Sequence, residues 1–158
     1  MESVEQIREL IALYRASHYD VALANGQSAT IRIGADAPPD IARWIGAHSK
    51  AIYMTACNPY SRTLSADENA VRMERLRQQV RDHGGDYLEG VGYMPGESWR
   101  EPSLLVSGLE MPVVDALVAE HEQNAVVVVP ARGHSFLRIH RVDWQNALGS
   151  LPGVEWAT

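Results

Sequence analysis

The sequence predicts an α+β fold, a two-layer sandwich on a mixed or antiparallel sheet with a ferredoxin-like core and an N-terminal hairpin. Three observations predict it. From Ala51 to Val129 the patterns run strand, helix, strand, strand, helix, strand, the order of a split βαβ core. Asn25-Gly26 stands between two β-rich runs, and a tight hairpin needs positive φ at its tip. Ser65 and Glu68 fall at capping-box spacing ahead of a long helical run. A three-layer α/β arrangement is the alternative, because helices at both ends of the chain are placed to cover the other sheet face.

Each element has its own reason. Val4, Ile7, Leu10, Ile11 and Tyr14 recur at helical spacing, giving a first helix with one apolar stripe. HYDVAL and SATIRIG form the hairpin around NGQ. PPDIARWIGAH reads as a short helix, with Pro39 suited to the first turn, where no N–H is needed. AIYMTAC (Ala51 to Cys57) is short, apolar and bounded by polar segments, as a central strand is. The long helix starts at Ser65 and ends at Gly84-Gly85. DYLEGVGYM and SLLVSGL are strands, and Pro112 opens a second helix carrying Val113, Val114, Leu117 and Val118. AVVVV (Ala125 to Val129) is a β-branched, buried strand, and SFLRIHRV is the last strand. Weak helical character follows Asp143.

Composition bounds the function. The 158 residues fit one domain, 1–158. A net charge of −6 opposes broad nucleic-acid binding. A single cysteine, Cys57, cannot form an internal disulfide, and the acidic, amphipathic N-terminus does not read as a signal peptide. No apolar run approaches bilayer-spanning length, so no membrane association and a cytoplasmic location are expected. The six histidines show no metal-ligand spacing, and GVGYMPG lacks the dinucleotide-binding pattern, so neither metal nor cofactor is expected.

The stretch ACNPYSRTLSADEN, Ala56 to Asn69, is the candidate site. Asn69 falls inside the apolar stripe of the long helix and must find hydrogen-bond partners there. The loop and helix are therefore expected to share a polar network of Asn58, Ser61, Arg62, Asn69 and Arg72. A helix N-terminus preceded by such a loop suits an anion, with Arg62 as a clamp and Ser61 as a hydroxyl donor. Outside the loop, Glu101 beside Ser103 suits general acid–base work, and Gln123-Asn124 either ends a helix or contacts a ligand.

The string TA-x-NPYSRTLS-x-x-EN, with Arg72 and Leu76, resembles a bacterial family called domain of unknown function 3293. YRASHYDV, IRIG, W-x-EPS-x-LV and EQNAVV follow the same pattern in the same order, over roughly residues 14–138. The family pattern has tryptophan before Asn-Pro, where this chain has Cys57. The resemblance implies that Tyr19, Asn58, Ser61, Arg62, Asn69, Trp99, Glu101, Ser103, Gln123 and Asn124 belong together, and it implies no activity. Three readings follow. The chain is a binding module for a small phosphate- or carboxylate-bearing ligand at the NPYSR loop. It is an enzyme acting on a nucleotide or phosphoester through Glu101. Or it is a protein-interaction domain using Trp99, Trp144 and Trp156.

Overall fold

In the computed structural model, which describes residues 1–157, one eight-stranded sheet carries five α-helices. The elements are α1 (Val4–Ala16), β1 (His18–Ala22), β2 (Ser28–Ile31), α2 (Pro39–Ile45), β3 (Lys50–Met54), α3 (Ala66–Asp82), β4 (Asp86–Tyr93), β5 (Arg100–Ser107), α4 (Met111–Glu120), β6 (Ala125–Pro130), β7 (Phe136–Ile139), α5 (Val142–Leu148) and β8 (Val154–Trp156). The sheet order is β2-β1-β4-β5-β3-β6-β7-β8, antiparallel throughout except for the parallel β7–β8 pair.

The four middle strands, β4-β5-β3-β6, take the order that a split βαβ unit produces. The hairpin β1–β2 extends one edge at β4, and β7 extends the other at β6. Alternation along the strands divides the core in two. Ile52, Met54, Leu104, Val106, Val126 and Val128 pack against α3 and α4 through Met73, Leu76, Val80, Val114 and Leu117. Tyr53, Leu105, Val127 and Val129 face the other way, onto Ile7, Ile11, Ile41, Ile45 and Trp144 from α1, α2 and α5. The expected two layers are thus the ferredoxin-like part alone. The remaining helices add the third layer of the alternative, on a sheet that is nonetheless mostly antiparallel.

Several local signals act as their chemistry requires. Ser65 caps α3, accepting from the Glu68 N–H at 3.1 Å while the Glu68 side chain accepts from the Ser65 N–H at 3.2 Å. Gly84 takes the left-handed conformation that ends the helix. Strand β3 stops at Met54, before the end of AIYMTAC, because the next groups bond elsewhere: the Thr55 hydroxyl donates to the Pro102 carbonyl, and the Ala56 carbonyl accepts from Arg72. The tail departs from its weak helical signal after α5. There Val154–Trp156 pairs alongside β7, with Arg138 bonding Glu155 across the pair. Past β2 the chain curls back, and Gly34 donates to the Ser135 carbonyl just before β7.

Candidate functional site

A cavity of about 430 Å3 lies between α1, the end of β3, the start of β6 and the end of the sheet where β4 meets β5 at Gly92 and Glu101. Its floor follows from sheet register. Tyr19, Gly92 and Glu101 lie in one row across β1, β4 and β5, and partners in a row share a face. Gly92, having no side chain, leaves room between the Tyr19 ring and the Glu101 carboxylate. Two rows along, on the same face, Gly90 sits under Tyr53, whose hydroxyl donates to the Asp20 carbonyl at 2.8 Å.

The NPYSR turn forms one wall. Asn58, Tyr60 and Ser61 all have positive φ, at 49°, 48° and 63°. Asn tolerates this conformation better than Tyr or Ser, so surrounding bonds must hold the turn. Asn58 supplies most of them. Its N–H donates to Asn69 Oδ1 at 3.0 Å, and its Oδ1 accepts from Asn69 Nδ2 at 2.9 Å and from the Leu64 N–H at 3.0 Å. Its Nδ2 donates to Glu101 Oε2 at 3.1 Å. The Tyr60 N–H donates to the Glu122 carbonyl at 2.6 Å. Arg72 then ties the loop to the end of α4, donating to the Ala56 and His121 carbonyls.

The cavity brings Asn58, Ser61, Glu101, Ser103 and Gln123 together, so the NPYSR, EPS and QNA segments converge. Tyr19, Trp99 and Asn124 also line it. Asn69 and Arg72 do not: their polar groups are spent on holding the loop. Arg62 is exposed, makes no side-chain bond among the described residues and lies outside the lining. Tyr14, Tyr53 and Arg100 line the cavity without having been singled out. Tyr14 and Tyr53 sit at apolar positions of a helix stripe and a strand, where a core aromatic has the same pattern.

The electrostatics of the cavity center on Glu101. Burial pushes its carboxyl above the usual range, and the Asn58 amide opposes this. Among the described residues Glu101 forms no salt bridge with Arg, Lys or His. Arg100, at the exposed mouth, lies instead over the Tyr93 ring, 4.5 Å from its centroid. Gln123 Nε2 donates to the Cys57 and His121 carbonyls at 2.9 and 3.0 Å, which fixes its amide and leaves Oε1 without a protein donor. Cys57 is buried with its thiol pushed up, as an inert packing thiol is. His140 bonds Asp115 at 2.8 Å and His121 meets Gln79 at 2.6 Å. Among the described residues no three His, Cys, Asp or Glu are grouped to hold a metal, and no helix is long and apolar enough to cross a membrane.

Residues 54–126, the stretch holding the NPYSR turn, Glu101 and Gln123, match the family model described as a protein of unknown function, DUF3293. No curated protein and no solved structure matches the chain.

Proposed function

We propose that this DUF3293 chain binds a small amine-bearing molecule, with the ammonium group received by Glu101 and by Oε1 of Gln123. One observation carries the reading: a half-buried carboxylate in a cavity accepts a single protein hydrogen bond, at 3.1 Å from Asn58, and forms no salt bridge among the described residues. An ionised carboxylate offers about four acceptor positions. Leaving them empty in a desolvated site is costly, and a ligand ammonium supplies both the donors and the missing charge. Aromatic rings of Tyr14, Tyr19 and Trp99 around the same space favour a cation further. An anionic ligand, the expectation from the loop alone, would meet Glu101 with no buried cation to offset it.

Glu101→Gln keeps the shape and removes the charge. Primary amines titrated into the protein, followed by amide chemical shifts, are expected to bind the native chain and to lose about tenfold or more in affinity in Glu101→Gln. Affinity is expected to rise with pH as Glu101 ionises, with a midpoint above the ordinary Glu value. Carboxylates binding better than amines, or amines binding Glu101→Gln equally well, would refute the reading.

The same substitution has a folding signature. The raised carboxyl makes the folded state bind more protons than the unfolded one between the two pKa values, so Glu101 lowers stability as pH rises through that window. Glu101→Gln is therefore expected to raise the denaturation midpoint at neutral pH, with the gain disappearing below the unfolded Glu pKa.

A second reading is favoured by the placement of this raised carboxyl beside hydroxyl groups of the cavity: Glu101 acts as a general acid or base on the bound molecule.

A further inference from the structure

The other end of the ligand is encoded in the polarity of a hydrogen-bond relay, an inference that rests on the amine reading above. Asn124 is 3% exposed, at the start of β6. Arg141 approaches its Oδ1 at 2.8 Å, and a guanidinium only donates, so the amide can be oriented one way alone. Its Nδ2 therefore faces the Tyr14 hydroxyl at 3.0 Å and Ser61 Oγ at 3.1 Å, and both hydroxyls accept.

Arg141 is itself immobilised. It bonds the Glu2 carboxylate at 2.9 and 3.1 Å and the Asp143 carboxylate at 2.7 and 3.0 Å. Its guanidinium lies 5.2 Å from the centroid of Tyr60 and 5.0 Å from that of Trp144. The amide is thus set before any ligand arrives.

Most other cavity hydroxyls are used up on backbone carbonyls: Ser17 donates to that of Leu13, Tyr19 to Tyr14, Tyr53 to Asp20, Thr55 to Pro102 and Ser103 to Glu101, while Thr63, which bonds no carbonyl, is exposed to solvent. Tyr14 and Ser61 accept from Asn124 and have no such carbonyl. Even where one of them donates to the other, one O–H is left over to face the cavity. Acceptors at Glu101 and Gln123 thus share one cavity with a hydroxyl donor.

We propose that the ligand is an amine that also carries a neutral oxygen acceptor, a carbonyl or hydroxyl, received by Tyr14 and Ser61. Arg141 is a positioning residue that sets this donor through Asn124. A carboxylate end is disfavoured, because the guanidinium of Arg141 is already matched by Glu2 and Asp143 and Glu101 already brings a negative charge.

The test titrates the full chain with straight-chain ω-amino amides of graded length, alkylamines of matched length and the corresponding ω-amino acids, followed by amide chemical shifts. The best amino amide is expected to bind about five- to tenfold tighter than its alkylamine. That ratio is expected to fall to about one in the Tyr14→Phe/Ser61→Ala double variant. Asn124→Asp should lower it as well, because a carboxylate pairs with Arg141 and draws both hydroxyl protons to itself. Equal binding of amides and alkylamines, both lost in Glu101→Gln, overturns this inference and leaves the amine reading intact. Tighter binding of the amino acids overturns it too, as does a ratio that survives both sets of variants. No Glu101-dependent binding of any amine overturns both.

Discussion

Gly90→Ala is expected to destabilise the protein by about 3 kcal/mol, lowering Tm by roughly 6–12 °C. A Cβ built at this position stands 2.5 Å from the Asp20 carbonyl oxygen and 2.7 and 3.0 Å from the Tyr53 hydroxyl and ring. The first neighbour is backbone of β1, paired with β4 at Asp20–Val91, and cannot move without breaking that ladder. The Tyr53 hydroxyl cannot retreat without losing its 2.8 Å bond to the same carbonyl. Gly90 has no positive φ, so the cost is one of space rather than backbone conformation. Gly92→Ala is the matched control, since its Cβ would meet only Glu101 O and Tyr19 Cδ1, both at 3.9 Å. It is expected to fold within about 1 kcal/mol of the native chain while narrowing the cavity between Tyr19 and Glu101. Adding Tyr53→Phe to Gly90→Ala should recover about 1 kcal/mol through coupling of the two sites. Denaturation midpoints of the three variants check this, and a Gly90→Ala protein as stable as Gly92→Ala would refute it.

The same two glycines show what the sequence makes legible. DYLEGVGYM, which holds both, reads simply as a strand, and the strand forms as β4. That one glycine admits a tyrosine and the other opens a cavity depends on β1 and β3, far away in sequence. Local signals fared well: the capping box at Ser65, the Asn25-Gly26 turn and the β-branched run at β6 each sit where local chemistry places them. The third layer was less legible, because α1 and α5 reveal which sheet face they cover only through tertiary packing. Strand β8 follows a helix that the tail did predict, and its three residues carry too little periodicity to announce themselves.

The site divides in the same way. A buried Asn on a helix stripe must be paired, and that rule alone joins Asn69 to the NPYSR loop. An arginine in a polar loop suggests an anion site, whereas Arg62 stands outside the cavity lining and the half-buried Glu101 stands within it. Arg141 had no local signal at all. Its role depends on Glu2, Asn124 and Asp143 meeting across the fold.

Asn58→Asp is expected to be the most pH-sensitive variant of the protein. The Leu64 N–H, which only donates, fixes Oδ1 of Asn58, so the substitution keeps that bond and exchanges the Nδ2 facing Glu101 for an oxygen. Two carboxyl groups then stand about 3 Å apart in a desolvated site, where both cannot ionise, and they hold one proton between them. In the unfolded chain both ionise with ordinary carboxyl pKa values. Above those values the folded state retains a proton that the unfolded state has released, so stability falls as pH rises until the shared proton is lost. The variant should therefore lie within about 1 kcal/mol of the native chain near pH 4 and be destabilised by about 3 kcal/mol at neutral pH, roughly 6–12 °C in Tm. Glu101→Gln added to Asn58→Asp should return most of the lost stability, because the glutamine amide can donate where the asparagine did. Thermal unfolding across pH for the single and double variants measures both effects. A pH-independent loss in Asn58→Asp would mean that the 3.1 Å bond between Asn58 and Glu101 is not the contact that holds the turn against the carboxylate.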